Sequence, residues 1–201
     1  MQQELVKGVF KVAHNRCMPG KEAEYVPLFN AFVAAQEADD VDEMARVRAE
    51  MSHFTETVFT DEFPNLVTNL GRNFALDSVL RATAYTTVAN LGLKGVGAAA
   101  AADTQASHAS WLEQGGTNAP VFTGGRKTLT FTAAASQAIT HAATTFAFTS
   151  SGTVAGAFLN LAGSSTKDNT TGTLFSAGDF TGGNRSVVNT DTLDVVYTLN
   201  G

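Results

Sequence analysis

Disulfide chemistry within the chain is closed to this sequence. Its 201 residues include one cysteine, Cys17, which also leaves no cysteine-based zinc site. Proline is scarce at four residues, and glycine, at 18, falls far short of a collagen repeat. Charged residues make up 16%, below the ~25% usual in soluble domains. With a formal net charge of −6, no basic footprint for a nucleic acid is present. No apolar run approaches the ~18 residues of a membrane span. Met1 is followed by Gln2, Gln3 and Glu4, without a basic segment or a long apolar core, so no cleavable signal is expected. These absences lead to the expectation of a soluble, cytosol-made protein with neither nucleic-acid nor membrane partners. What is present is a 44% hydrophobic composition, enough for a real core.

The composition changes near residue 82. Residues 1–81 carry 8 Lys/Arg and 13 Asp/Glu, whereas residues 82–201 carry 5 and 6. The longer part is rich in Thr, Ser, Ala and Gly, which suits short strands joined by tight turns. In the first part, Leu5 to Val12 alternates as a strand. Tyr25, Leu28, Phe29, Phe32 and Val33 then fall at helical spacing and form one apolar stripe. Pro27 is compatible with this helix only near its start. A second stripe runs through Val41, Met44, Val47 and Met51. Asp40 with Glu43 three residues on has the spacing of a capping box. Residues 23–53 therefore read as two short helices with a tight connection, or one long helix. Residues 54–60 read as a strand closed by Pro64-Asn65, and residues 69–80 as a short helix.

Strands are expected at Tyr85–Leu93, Lys127–Thr132, Thr144–Thr149, Thr153–Leu161, Gly172–Ser176 and Thr192–Leu199. Turn signals such as Gly115-Gly116, Ser151-Gly152 and Gly182-Gly183-Asn184 separate them. The Ala-rich segment 98–109 is a helix by propensity or an extended loop. The expected fold is mainly β: an antiparallel β-sandwich or jelly-roll domain with an N-terminal helical insertion, α+β overall. Its segments are 1–81 and 82–201, unless they share strands in one continuous domain.

The search for chemistry returns few candidates. His14, His53, His108 and His141 form no i, i+4 pair, and no HExxH occurs. Cys17 lies near His14, but a lone, unreactive thiol is the simpler reading. No G-x-S-x-G surrounds any serine. Gly92-Leu-Lys-Gly-Val-Gly97 fits neither phosphate-binding pattern and reads as a turn. Asp168, Asn169, Asp191 and Asp194 sit in turns without EF-hand spacing, and turn formation by their side chains explains them. No catalytic residue, cofactor or metal is expected. Trp111 reads as a buried anchor, with sugar stacking as the sharper alternative, which would make the chain a glycan-binding β-sandwich.

A series of short segments carries a resemblance. They are Asn65-Leu-Val-Thr-Asn-Leu-Gly71, Tyr85-Thr-Thr…Leu91-Gly-Leu93, Ala102-Asp-Thr…Ser107-His108-Ala…Trp111-Leu-Glu113, Gly156-Ala-Phe158, Thr173-Leu-Phe-Ser-Ala-Gly-Asp-Phe180 and Asp191-Thr-Leu193…Val196-Tyr-Thr198. Over about 65–201 the chain resembles a family of small structural proteins of tailed bacteriophages, of head-decoration or tail-fibre type. The helical region at 21–53 departs from that family's pattern, where a short hairpin would sit. The resemblance implies a non-enzymatic virion protein made in the host bacterial cytoplasm. The leading expectation is a capsid-decorating (cement or head-fibre) protein on the major capsid protein lattice, acting as a homo-oligomer, trimer or dimer. The alternative is a tail component, a fibre or a fibre-anchoring adaptor near the portal. Tyr25, Phe29, Phe32 and Met44 are the candidate docking residues, if the helical stripes are not used on the protein's own sheet.

Overall fold

The computed structural model describes residues 7–81, 88–108, 110–113 and 121–200. Leu5 and Val6, the Tyr85–Thr87 start of an expected strand, Ala109 and the Gly115-Gly116 turn lie outside them. Within the described residues the fold is β-rich α+β, with antiparallel sheets and three helices.

Strand β1 (Lys7–Cys17) alternates as its sequence directs: Phe10, Val12 and His14 are buried, while Lys7 and Lys11 face out. It lies between β2 (Thr55–Pro64) and β12 (Thr192–Asn200), antiparallel to both. Beyond β12 the sheet continues to β6 (Ala138–Thr140) and β7 (Thr144–Ala147), which both pair with it. A second five-stranded sheet runs in the order β3 (Leu66–Val67), β10 (Thr173–Asp179), β9 (Gly156–Leu161), β4 (Ala89–Lys94), β5 (Lys127–Leu129). A small ribbon pairs β8 (Gly152–Val154) with β11 (Arg185–Val187). The expected strand 153–161 is thus two strands in different sheets, broken at Ala155, whose N–H bonds Lys94 O and whose carbonyl accepts from Phe180 N.

One apolar core takes side chains from both five-stranded sheets. Phe10, Val12, Phe63, Phe146, Val195 and Tyr197 come from the first, and Leu91, Leu129, Leu159 and Phe175 from the second. Helix α3 (Asn69–Leu80) lies against β10. Thr68 caps it, accepting from Gly71 N at 3.0 Å while donating to Leu174 O. Gly71 must be glycine, because a Cβ there would stand 2.2 Å from Phe175 O.

Two helices, α1 (Glu22–Glu37) and α2 (Val41–Met51), form the layer read from the two stripes. Asp40 caps α2 through Glu43 N at 3.0 Å. The reciprocal half of the box is not made, since Glu43 pairs with Arg46 instead. Pro27 sits five residues inside α1, deeper than its missing N–H favours. The helix runs through it because Tyr25, Phe29 and Phe32 are clamped on both sides of it. Residues 98–108 form turns and no helix, with a Thr104↔Ser107 bridge; propensity yields there to packing on the second sheet.

Candidate functional site

The proposed docking residues turn inward. Tyr25, Phe29 and Phe32 are 0%, 2% and 2% exposed and pack with Val47, Met51 and Ala147, with Met44 half-buried at the margin. Polar ties fix the layer to the first sheet: Tyr25 Oη donates to Thr190 O at 2.8 Å, Gln36 Nε2 to Thr145 O at 2.8 Å, and Arg48 pairs with Asp194 at 2.9 Å. In this arrangement the stripes cover the protein's own sheet.

Trp111 is 1% exposed. His108 stacks on its indole at 3.9 Å, Phe158 packs at 5.3 Å, and the indole N–H donates to Asp103 Oδ2 at 3.0 Å. Its ring serves as cover for the outer face of the second sheet, with Leu174 and Ala177 beside it, and no face is open to a sugar.

Beneath that cover lies a polar cluster of the second sheet. In the antiparallel register Gly156 stands opposite Lys94 on one side and Asp179 on the other. Residues in register point to the same face, so Lys94 and Asp179 flank a position without a side chain. They meet across it: Lys94 Nζ pairs with Asp179 Oδ1 and also bonds Gly95 O and Gly97 O. The Lys94 side chain is 0% exposed and Asp179 is 45% exposed. Consecutive amides hold two carboxylates here, Ala99 N on Asp179 Oδ2 at 3.3 Å and Ala100 N on Asp103 Oδ2 at 2.9 Å. Burial pushes the Lys94 ammonium below the usual lysine range, against the opposing pull of Asp179 and Asp103.

Next to this row a second ion pair is wholly buried. Arg126 forks onto Glu113 at 2.8 and 2.6 Å, both side chains being 0% exposed. Asp168 N also donates to Glu113, and Arg126 donates to Ser164 O and Asn169 O, so every side-chain nitrogen and oxygen of the pair has a partner. Asn160 ties the covering loop down through Gln105 at 2.7 Å.

Of the acids read as turn residues, Asp191 is bound by His14 at 2.8 Å and by Arg16 at 2.9 and 2.7 Å, while Asp194 lies in strand β12 and is bound by Asn15, Thr145 and Arg48. Among the described residues no three His, Cys, Asp or Glu side chains group as metal ligands. Sequence reasoning missed the Lys94–Asp179 row and the Arg126–Glu113 pair. One signal for the first was available: Lys94 ends the run Ala89-Asn-Leu-Gly-Leu, every residue of which is buried.

Five of the six segments that carry the resemblance gather in this region, and the sixth, which includes Asp191, Leu193 and Tyr197, runs into β12 of the first sheet. Leu66 and Val67 form β3, Leu91–Leu93 lies in β4, Gly156–Phe158 in β9 and Thr173–Asp179 in β10, while Asp103, His108, Trp111 and Glu113 belong to the covering loop. No family model, curated protein or solved structure matches the chain.

Proposed function

We propose that the chain is a non-enzymatic structural protein of a tailed-phage virion, a β-sandwich whose faces are the two five-stranded sheets, decorating the capsid as a cement or head-fibre protein. The convergence of the resembling segments carries this reading. Five of the six meet in one sheet and its buttress, where ion pairs and aromatic rings hold strands and loop together, and the sixth forms β12 of the facing sheet. Residues spread over more than a hundred positions serve one rigid surface layer, as a particle component requires. The partner is the major capsid protein lattice, and the protein acts as a homo-oligomer. Leu70, Leu76 and Leu80 on α3 are exposed apolar side chains available for that association.

Copy number tests the reading. Quantitative mass spectrometry of purified particles, against the major capsid protein, should find on the order of hundreds of copies, as closed symmetric lattices require. About 6 to 18 copies would move it to the tail as a fibre or adaptor. Absence from particles would overturn the virion reading.

A further inference from the structure

The Lys94–Asp179 row does more than pair two charges. We propose that it is the site of a self-formed isopeptide bond, in which Lys94 Nζ becomes covalently joined to Asp179 Cγ across Gly156. Four observations meet there. Lys94 is fully buried at the end of a strand, with its Nζ against the carboxylate of Asp179. The two residues occupy one register row, separated only by a glycine, so no side chain intervenes. Two rigid strands position the two groups, and a Cβ at Gly156 would come 1.9 Å from Gly178 O, so the close sheet packing excludes any larger residue between them. Trp111, anchored on Asp103, closes the site from above.

The chemistry balances without any co-reactant. A proton passes from the Lys94 ammonium to the Asp179 carboxylate, which burial of the ammonium favours. The free amine attacks Cγ, the N–C bond forms, the C–O bond breaks, and water leaves. Nothing is oxidised or reduced, and the ammonium–carboxylate pair becomes a neutral amide plus one water. Asp179 is half-exposed, which gives that water its way out. Condensation is unfavourable between free groups in water, but fixed geometry supplies an effective molarity on the order of 10⁵ M or more. The single cysteine means that a covalent tie within one chain has no disulfide route. The bond would join β4 to β10 directly over β9 and lock the sheet in which most of the resembling segments meet. The inference holds for a head or a tail protein alike.

The test is the intact mass of the purified, folded chain under denaturing conditions. The expected mass is lower than that of the sequence by one water. Trypsin should then fail to cut after Lys94 and release the peptide 82–126 joined to the peptide 168–185. That branched species separates this bond from any other loss of water. Lys94→Arg, which keeps the cation and lacks the nucleophile, should show its full sequence mass and unfold at a lower temperature. Asp179→Asn should form the same bond with loss of ammonia. A wild-type chain at full sequence mass, with free Lys94 cleaved by trypsin, would overturn the proposal, and so would a water loss mapped elsewhere.

Discussion

Tyr197 gives its backbone N–H to His141 Nε2 at 2.9 Å. An N–H only donates, so Nε2 is unprotonated, and the ring proton sits on Nδ1, facing Ala142 O. Burial lowers the His141 pKa, and the Ala142 hydrogen bond only partly opposes this. The folded value thus lies below the unfolded one of about 6.5. Above that pH the contribution to stability is complete. As pH falls through and below it, the unfolded chain takes up the proton first, and stability drops. Urea unfolding should therefore show a lower midpoint at pH 5.5 than at 7.5, and His141→Gln should flatten that difference. Asp191 acts in a lower window. Burial works most strongly against its ionisation, yet Arg16, His14 and Val188 N together hold the carboxyl below its ordinary value. Its stabilisation is present above about pH 4 and is lost as pH falls through the folded value. The buried fork is less forgiving. Glu113→Ala leaves Arg126 unpaired and should cost about 3–5 kcal/mol, read from chemical denaturation. Glu113 ends one of the segments that carry the resemblance, but its partner Arg126, 13 residues on, has no local signature.

At the scale of elements, the helical layer shows what periodicity does and does not carry. The spacing of Tyr25, Phe29 and Phe32 identifies a buried face. It does not say whether the cover is the chain's own sheet or another protein, because both bury the same rings. The deciding residue is Ala147, small and in a strand more than a hundred positions away. Phe32→Ala should therefore lower the stability of the isolated chain by about 3–5 kcal/mol. Val41→Ala, at 66% exposed, should change it by no more than about 0.5 kcal/mol. Comparing both in thermal unfolding checks which face packs. Strands with alternating Thr and apolar residues were legible for the same reason. The short strands Leu66–Val67, Ala138–Thr140 and Arg185–Val187 were not, since two or three residues carry no period: the first two lie on the longer strands β10 and β12, and the third pairs with the equally short β8. The Ala-rich segment, read as a helix by propensity or an extended loop, takes the loop form, held by Asp103 and Gln105, whose partners Trp111 and Asn160 are fixed by the sheet below.

For the whole molecule, the change of composition at residue 82 suggests a boundary, and the hydrogen bonds run across it. β1 pairs with β12 over nine registered positions from Lys7↔Asn200 to Asn15↔Thr192, and β3 pairs with β10. Phe10 and Phe63 share one core with Leu159 and Phe175. Neither segment can keep its sheet or its core without the other: removing residues 82–201 would leave β1 paired on one side only, and removing 1–81 would strip β12 of its central neighbour. Six of the 13 acidic residues of 1–81 lie on α1 and α2, outside the buried stripe, so part of the difference in charge density is a property of surface and not of folding units. Unfolding should therefore be a single cooperative transition. Two natural probes lie on opposite sides of the composition change. The fluorescence of the single tryptophan, Trp111, reports on the second sheet, and the thiol reactivity of Cys17, packed at the edge of the helical layer, reports on the first. Their denaturation midpoints should coincide. Separated midpoints would mean that residues 1–81 and 82–201 unfold independently, and that the β1–β12 pairing does not carry the coupling its length implies.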